Sequence, residues 1–447
     1  MTAVRVVQAY LVAGSRMLCY MARAQLGALL PLLTVQLGLS KFDQGYLMSR
    51  YASGYLLTQV LGGICADRFG SYPVLALVLL MSGLCCLAAP MLAGVSTAAF
   101  GASLFVLGLC QGAAFPAGSV VCARWLLPEE RSWASSISAI GAALGAFAVN
   151  ASAAPLAGRF GWQAVFYGSS AACFAFMVLW LRLGASSPGT SRRVTVEETR
   201  ALRDAGVLPA LAADEGKARQ PALRPIVPPR AFLGSRSIWV LFACHFSQNW
   251  QQYFGEWLPL FYSSWLGSSS ELAGLHAASV GLAELPSRAV TARLPELLLS
   301  KDLTLLTCRK LMSVVGFAAH LLLSAVLAMM LLRPAAQPLA FTALFALSRA
   351  SQSCHAGGYY ANYLDLTRDY SGFLSGFGNT LATAAGVLFP RFASWSLDLT
   401  AGSWLPIISS LVLVDALAMS SIMSGMSVEC LDEKLEQSRG DATKKTS

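Results

Sequence analysis

From Val74 to Gly94 the chain carries no charged residue. An uninterrupted apolar run of about 20 residues is the length an α-helix needs to cross a bilayer core of about 30 Å. Runs of this kind recur along the whole sequence. They exclude a membrane β-barrel, whose strands read as alternating segments of about 10 residues. They also exclude an ordinary soluble fold: only 12% of the 447 residues are charged, against about 25% in a typical globular domain. The fold class is therefore an all-α membrane protein.

Twelve spans are expected. The first six are Val6–Leu37, Gln44–Ala66, Val74–Ala93, Ala98–Leu126, Ser132–Leu156 and Ala164–Leu183. The second six are Ile238–Leu266, Leu272–Leu299, Leu311–Leu332, Leu339–Tyr359, Ser371–Phe389 and Leu405–Ser424, with Pro286, Pro295 and Arg349 interrupting the eighth and tenth. The resulting domains are an N-terminal six-helix half (1–184), a central loop (185–237), a C-terminal six-helix half (238–425) and a tail (426–447). Within the loop, the stretch from Thr195 to Arg203 reads as a short amphipathic helix, and Pro221, Pro225, Pro228 and Pro229 make the remainder extended.

The net charge of +9 follows from the distribution of basic residues. Arg5, Arg68, Arg124, Arg131, Lys301, Arg309, Lys310 and Lys434 fall on one side of the membrane. The central-loop residues Arg192, Arg193, Arg200, Arg203, Lys217, Arg219, Arg224 and Arg230 fall on the same side. The other side has little beyond Lys41, Arg159 and Arg333. By the positive-inside rule both termini and the central loop are expected to be cytoplasmic. No basic stripe interleaves with aromatics, so no nucleic-acid partner is expected; the expected surroundings are membrane lipid, and the expected state is a monomer.

Eleven cysteines lack zinc-type spacing, and a lipid-buried cysteine is usually a small hydrophobe. Neither disulfides, metal nor a cofactor is expected. His245, His276, His320 and His355 lie on separate segments, and no phosphate-binding G-x-x-x-x-G-K-[ST] loop is present, which argues against an intramembrane enzyme and a nucleotide-driven pump. The first span begins almost at Met1 and contains Arg16 and Arg23, so neither a transit peptide nor a signal peptide is expected.

Arg23 is the notable charge. A charge at mid-bilayer costs about 2.5–3.5 kcal/mol even on lenient scales, and normally faces a partner or a water-filled cavity. In Met21-Ala22-Arg23-Ala24-Gln25-Leu26-Gly27-Ala28 it suggests a cationic ligand for an anion crossing the membrane. Arg16 lies seven residues earlier on the same face, and Arg50 and Arg349 lie within other spans. Arg16 either snorkels to the interface or supplies a second cation; Arg50 and Arg349 are substrate ligands or members of buried pairs. Glu256 is either a proton carrier or the partner of Arg23 or Arg50, and Glu284 and Arg288, four apart, pair with each other. His245 is a proton relay or a packing residue. Tyr20, Tyr55, Gln59 and Asn249 are neutral hydrogen-bonders for substrate.

After the second span comes Gly63-Ile64-Cys65-Ala66-Asp67-Arg68-Phe69-Gly70. This resembles the cytoplasmic loop signature of the major facilitator superfamily, whose architecture is two six-helix halves around a midplane site. Gly63 permits close helix contact, and Asp67 and Arg68 act as a conformational latch, with Asp365 organising the cytoplasmic end of the tenth span. The resemblance narrows with the run from Gly54 to Gly63 (Tyr55, Thr58 and Gln59 among them), Phe115-Pro116-Ala117, the run from Arg124 to Ser132, and Gly161-Trp162-Gln163. His245–Trp250, Trp257–Tyr262, Arg309-Lys310-Leu311-Met312, Asn362–Leu366 and Gly376–Thr380 follow in order. Together they resemble the anion:cation symporter family, which includes plastid phosphate and ascorbate transporters and vesicular nucleotide and sialic acid transporters.

The resemblance implies secondary active transport of a small anion with co-transported H⁺ or Na⁺. It matches Arg23 to the family's first-helix arginine. The chain departs from the family where many members carry an arginine and, seven residues on, a glutamate in the fourth helix: Leu104 and Gln111 stand there, and Gln111 joins the candidate substrate contacts. Gln248 replaces an arginine and Met48 a histidine of the glutamate-type members. The alternatives are an uncoupled or voltage-driven anion facilitator, or a non-transporting receptor on the same fold. Phosphate, a sugar acid, ascorbate or a nucleotide would each satisfy one or two arginines, in a plasma, vesicular or plastid membrane.

Overall fold

Several helices begin where the sequence supplies a cap or a proline. Ser40 opens one with a capping box, its Oγ accepting from the Asp43 amide at 3.1 Å while the Asp43 carboxylate accepts from the Ser40 amide at 3.0 Å. Ser96 and Thr304 cap two others. Pro259, Pro295 and Pro338 sit in first turns, where the missing N–H is no loss.

The structure is a computed structural model that describes residues 3–127, 130–191, 193–204, 233–291, 293–333, 337–367 and 371–431. Arg192, Lys217, Arg219, Arg224, Arg230, Lys434, the loop prolines and the side chains of Asp67 and Arg131 lie outside that description. Among the described residues the regular structure is helical: α1 (Val4–Gln36), α2 (Lys41–Phe69), α3 (Ser71–Ala93), α4 (Thr97–Gln111), α5 (Ala114–Trp125), α6 (Arg131–Phe160), α7 (Gln163–Leu183) and α8 (Val196–Asp204). Then come α9 (Arg236–Gly255), α10 (Leu258–Ser264), α11 (Ser270–Leu282), α12 (Glu284–Thr291), α13 (Leu294–Leu299), α14 (Leu305–Leu331), α15 (Pro338–Ser351), α16 (Tyr359–Leu366), α17 (Ser371–Leu399) and α18 (Leu405–Gly425). Among the described residues seven helical stretches are long and apolar enough to cross a membrane.

Four expected spans are interrupted. The fourth turns at Gly112-Ala113 between α4 and α5. The seventh turns at Glu256-Trp257, just before Pro259. The eighth is split into α11, α12 and α13, with Pro286 and Pro295 each in a new first turn. The tenth passes through a 3₁₀ turn, Gln352–Ala356, before Gly357-Gly358.

The chain folds into two units, Met1–Ala222 with Glu256–Ala278, and Leu223–Gly255 with Ser279–Ser447. In the first, α1 packs along α6, α2 along α4 and α3 along α7. The α1–α6 approach rests on Gly141-x-x-x-Gly145: a β-carbon at either position would collide with the carbonyl of Ala13 or Met17. Gly70 and Gly161 close the α2–α3 and α6–α7 turns at φ +88° and +83°, values closed to most side chains. In the second unit, α14 packs along α18, and α9 against α17 and α18.

The short amphipathic helix expected in the central loop is α8. Leu202 is fully buried, and the Glu198 carboxylate accepts the amides of Val4 and Arg5 at 3.1 and 2.8 Å. A loop residue thereby caps the first turn of α1 and pairs with Arg5, which also holds Glu130 at 2.9 Å. Hydrogen bonds to a charged group contribute about 1.5–3 kcal/mol each. Glu198→Ala is expected to speed hydrogen exchange at the first amides of α1 by tenfold or more; unchanged exchange would show that the cap contributes nothing.

Candidate functional site

α1 carries Arg23 well inside its 33 residues. Its Nε and Nη2 both reach the same oxygen of Glu256, at 2.7 and 2.6 Å, and the two side chains are 12% and 19% exposed. Of the roles open for Glu256, partnership with Arg23 is the observed arrangement. The close approach has a simple cause. Gly27, one turn beyond Arg23, has no β-carbon to strike the Glu256 carbonyl, and the fully buried Trp257 anchors the turn that presents Glu256. The Arg23 guanidinium also lies over the rings of Tyr51 at 5.3 Å and Tyr20 at 5.6 Å, within cation–π range.

Behind Tyr51 a buried polar chain begins. The Tyr51 hydroxyl donates to Gln111 Oε1 at 2.9 Å, and Gln111 Nε2 donates to Ser82 Oγ at 3.0 Å. Gln111 is thus held by α2 and α3, and Leu104 on the same helix is buried. Tyr51 and Ser82 were not legible as site residues, although Tyr51 lies one turn before Tyr55 and stacks on it at 5.8 Å. Gln59 is buried on α2.

Arg16 lies over Tyr20 and Phe115 at 5.2 and 5.0 Å, and Arg50 over Tyr46 and Phe105 at 5.1 and 5.0 Å. The buried Nε of each has no hydrogen-bond partner among the described residues. Neither arginine forms a pair with Glu256; aromatic faces take that place.

In the second unit Arg349 is tied on three sides: Nε to Glu284 at 3.1 Å, Nη2 to Gln252 at 2.6 Å and Nη1 to Gln352 at 3.0 Å. It is a member of a buried pair. Glu284 also receives Arg288 at 2.6 Å, the i,i+4 contact expected from spacing. His245 meets the hydroxyls of Tyr363 and Tyr360 at 3.2 and 3.1 Å through its two ring nitrogens, and the side-chain amide of Asn249 donates to its own helix at the His245 carbonyl. Gln248 is bonded to Tyr359.

Of the latch residues, Gly63 faces Pro116, and Arg68 lies over Phe69. Asp365 forms a two-point pair with Arg309, at 2.7 and 3.2 Å, and Arg309 also donates to the Gly357 carbonyl. This joins α14 to α16. Removing one member of a largely buried pair costs about 3–5 kcal/mol, so Asp365→Asn is expected to lower the unfolding midpoint of the purified protein by several degrees. An unchanged midpoint would contradict that role.

Asp415, in the middle of α18, and His320, on α14, are the residues that sequence reasoning missed; they lie 2.5 Å apart. The signal was available: Asp415 is the one charged residue of an otherwise apolar helix. Among the described residues no group of three or more His, Cys, Asp or Glu could hold a metal.

Residues 12–390 match the Major Facilitator Superfamily. The "Probable anion transporter 4, chloroplastic" of Oryza sativa subsp. japonica is 28% identical over 87% of this chain and 63% of its own length. The "Ascorbate transporter, chloroplastic" of Arabidopsis thaliana is 27% identical over 88% and 69%. The "Sodium-dependent phosphate transport protein 3" of Mus musculus is 26% identical over 77% and 70%. The chain therefore spans less than two thirds of the rice protein. Among solved structures, a D-xylose-proton symporter superposes with a TM-score of 0.66 at 15% identity, covering 94% of this chain and 97% of that one. A POT family transporter in complex with 5-aminolevulinic acid gives 0.68 at 14%, covering 94% of each. The superpositions establish the fold. The chain belongs to the Major Facilitator Superfamily, a superfamily of transporters and not of enzymes.

Proposed function

We propose that the protein is a secondary active transporter of a small anion. It works by alternating access of two six-helix halves, twelve spans in all, as a monomer with both termini cytoplasmic. The observation that carries this reading is Arg23, a guanidinium inside an apolar helix that is paired with the partly accessible carboxylate of Glu256. A guanidinium stays charged and offers a planar fork to carboxylate or phosphate. An anion entering the site takes the place of Glu256 on Arg23. Glu256 then loses that pairing, at a cost of about 3–5 kcal/mol, roughly a hundredfold to several thousandfold in affinity. A proton or Na⁺ on Glu256 removes that penalty, so the anion and the cation travel together. The relatives named for ascorbate and phosphate transport support these two as the first anions to try.

Tyr20, Tyr51 and Tyr55 supply hydroxyls and ring faces around the anion, and Gln111 positions Tyr51. Arg16 and Arg50, whose Nε atoms have no hydrogen-bond partner among the described residues, are the reserve cations. Gln59 and Asn249 are neutral contacts, and Arg349 is available to the anion only when Glu284 releases it. His245, held by two tyrosines, is assigned to packing rather than to coupling. One observation favours an uncoupled facilitator as the second reading: the fourth-helix position is a glutamine locked in a neutral hydrogen-bond chain.

The experiment is uptake of labelled phosphate, ascorbate, sialate, glutamate and nucleotide into proteoliposomes, with proton, sodium and voltage gradients imposed separately. Concentrative uptake of one anion under one cation gradient is the expected result. Saturable but non-concentrative uptake would select the facilitator, and no uptake from folded protein would remove the transport reading.

A further inference from the structure

Asp415 is wholly buried and stands alone as a charge in α18. An ionisable residue inside an apolar helix is costly and is retained for a partner or a function. Its partners are complete. His320 Nδ1 lies 2.5 Å from Oδ2, while Ser247 Oγ, at 3.0 Å, and Gln251 Nε2 both donate to Oδ1. Ser324, one turn beyond His320, lies 3.5 Å from the same ring nitrogen.

A carboxylate and an imidazole in contact share protons as one unit. With one proton between them the pair has net charge zero, whether written as imidazolium with carboxylate or as imidazole with carboxylic acid. Losing that proton leaves a net charge of −1 in a buried site. The pair therefore exchanges one proton, and the two donors to Oδ1 make the charged state tolerable.

The site does not end there. Gln251 Oε1 accepts from Gln352 Nε2 at 2.7 Å, and Gln352 Oε1 accepts from Arg349 Nη1 at 3.0 Å. Arg349 in turn holds Glu284. Every donor in this chain points from the arginine toward Asp415. A line of amides aligned between a cation and an anion is polarised along its length, and its order depends on the charge at each end. Adding a proton to the Asp415–His320 pair removes the negative end and loosens the hold of Gln352 on Arg349.

Among the described residues, the neighbouring elements carry further titratable groups. From α9, His245 is held by Tyr360 and Tyr363. From α17, the charged residues Arg391 and Asp398 are exposed. From the 3₁₀ turn, His355 is wholly buried against Phe317, with ring centroids 4.1 Å apart, and lies within electrostatic reach of His320. Neither of its ring nitrogens has a hydrogen-bond partner among the described residues.

We infer that Asp415 and His320 form a proton-binding site in the second unit, linked through Gln251 and Gln352 to Arg349. The inference rests on the transport reading only for its consequence, since proton binding is measurable without transport. The test is an acid–base titration of the purified protein. Wild type is expected to bind one more proton per molecule than the Asp415→Asn, His320→Gln double variant, in which neither group can exchange a proton. In proteoliposomes Asp415→Asn is expected to keep exchange of labelled phosphate or ascorbate. Its accumulation driven by a pH gradient is expected to fall about tenfold per pH unit for the proton lost. Gln352→Leu is expected to leave the titration intact and to give the same loss of accumulation. If that double variant does not fold, the Asp415→Leu, His320→Leu pair, which also lacks both titratable groups, carries the same titration. Equal proton binding in wild type and variant overturns the site, whatever the transport result. Absence of uptake of any of the five anions by wild type, with the titration difference present, overturns the transport reading and leaves the site standing.

Discussion

Arg23→Ala is expected to reduce anion uptake to the level of protein-free vesicles, a loss of at least a hundredfold. The guanidinium is paired with Glu256, its Nε and Nη2 lying 2.7 and 2.6 Å from one carboxylate oxygen. Removing it removes the fork that would hold the anion. It also takes from the partly exposed Glu256 the guanidinium it is paired with, at a cost of up to about 3–5 kcal/mol of stability. Loss of uptake in the single variant could then reflect unfolding. Arg23→Gln with Glu256→Gln separates the two effects, because an uncharged pair removes that penalty. The double variant is expected to fold and reach the membrane, and still not to transport. Uptake by the double variant within threefold of wild type would take Arg23 out of the site. Arg23→Lys is expected to keep only part of the activity, since a point charge cannot reproduce two-point recognition of an oxyanion.

The second large effect is Glu256→Gln. The resident counter-ion disappears while the shape stays nearly the same, so Arg23 waits for an anion without a competitor. The half-saturating anion concentration is expected to drop at least tenfold. Accumulation should lose its response to the proton gradient at this site, about a further tenfold per pH unit. The protein should also be less stable without anion and regain stability when anion is added. If half-saturation rises instead, Glu256 holds Arg23 in its working orientation and does not compete with substrate.

The long apolar runs and Arg23 could be read directly because each is a local property. Membrane thickness sets the length of a span, and a charge inside one is conspicuous. The helix at Val196–Asp204 and the Glu284–Arg288 pair were legible for the same reason: both follow from spacing within one turn or two. The partner of Arg23 was left open between two readings, because Glu256 is 233 residues away and helical periodicity fixes a face but not the neighbour opposite it. Arg349 shows the same limit, since its bonds to Gln252, Gln352 and Glu284 come from three segments. The turn at Gly112-Ala113 was missed because no proline marks it and apolarity continues through it. Asp415 escaped for the opposite reason: twenty of the 21 residues of its helix are uncharged, and the average hid the exception. Its meaning comes from His320, a residue 95 positions earlier.

The central claim is that Arg23 binds the anion, and ligand-induced thermal stabilisation of purified protein tests it without requiring transport. A ligand at 100 times its dissociation constant stabilises by about 2.7 kcal/mol. The measurement compares wild type with the Arg23→Gln, Glu256→Gln double variant across phosphate, ascorbate, sialate, glutamate and nucleotide. The account predicts that at least one anion raises the unfolding midpoint of wild type by several degrees and leaves the double variant unmoved. Equal stabilisation of both proteins, or none of wild type by any of the five, would contradict it.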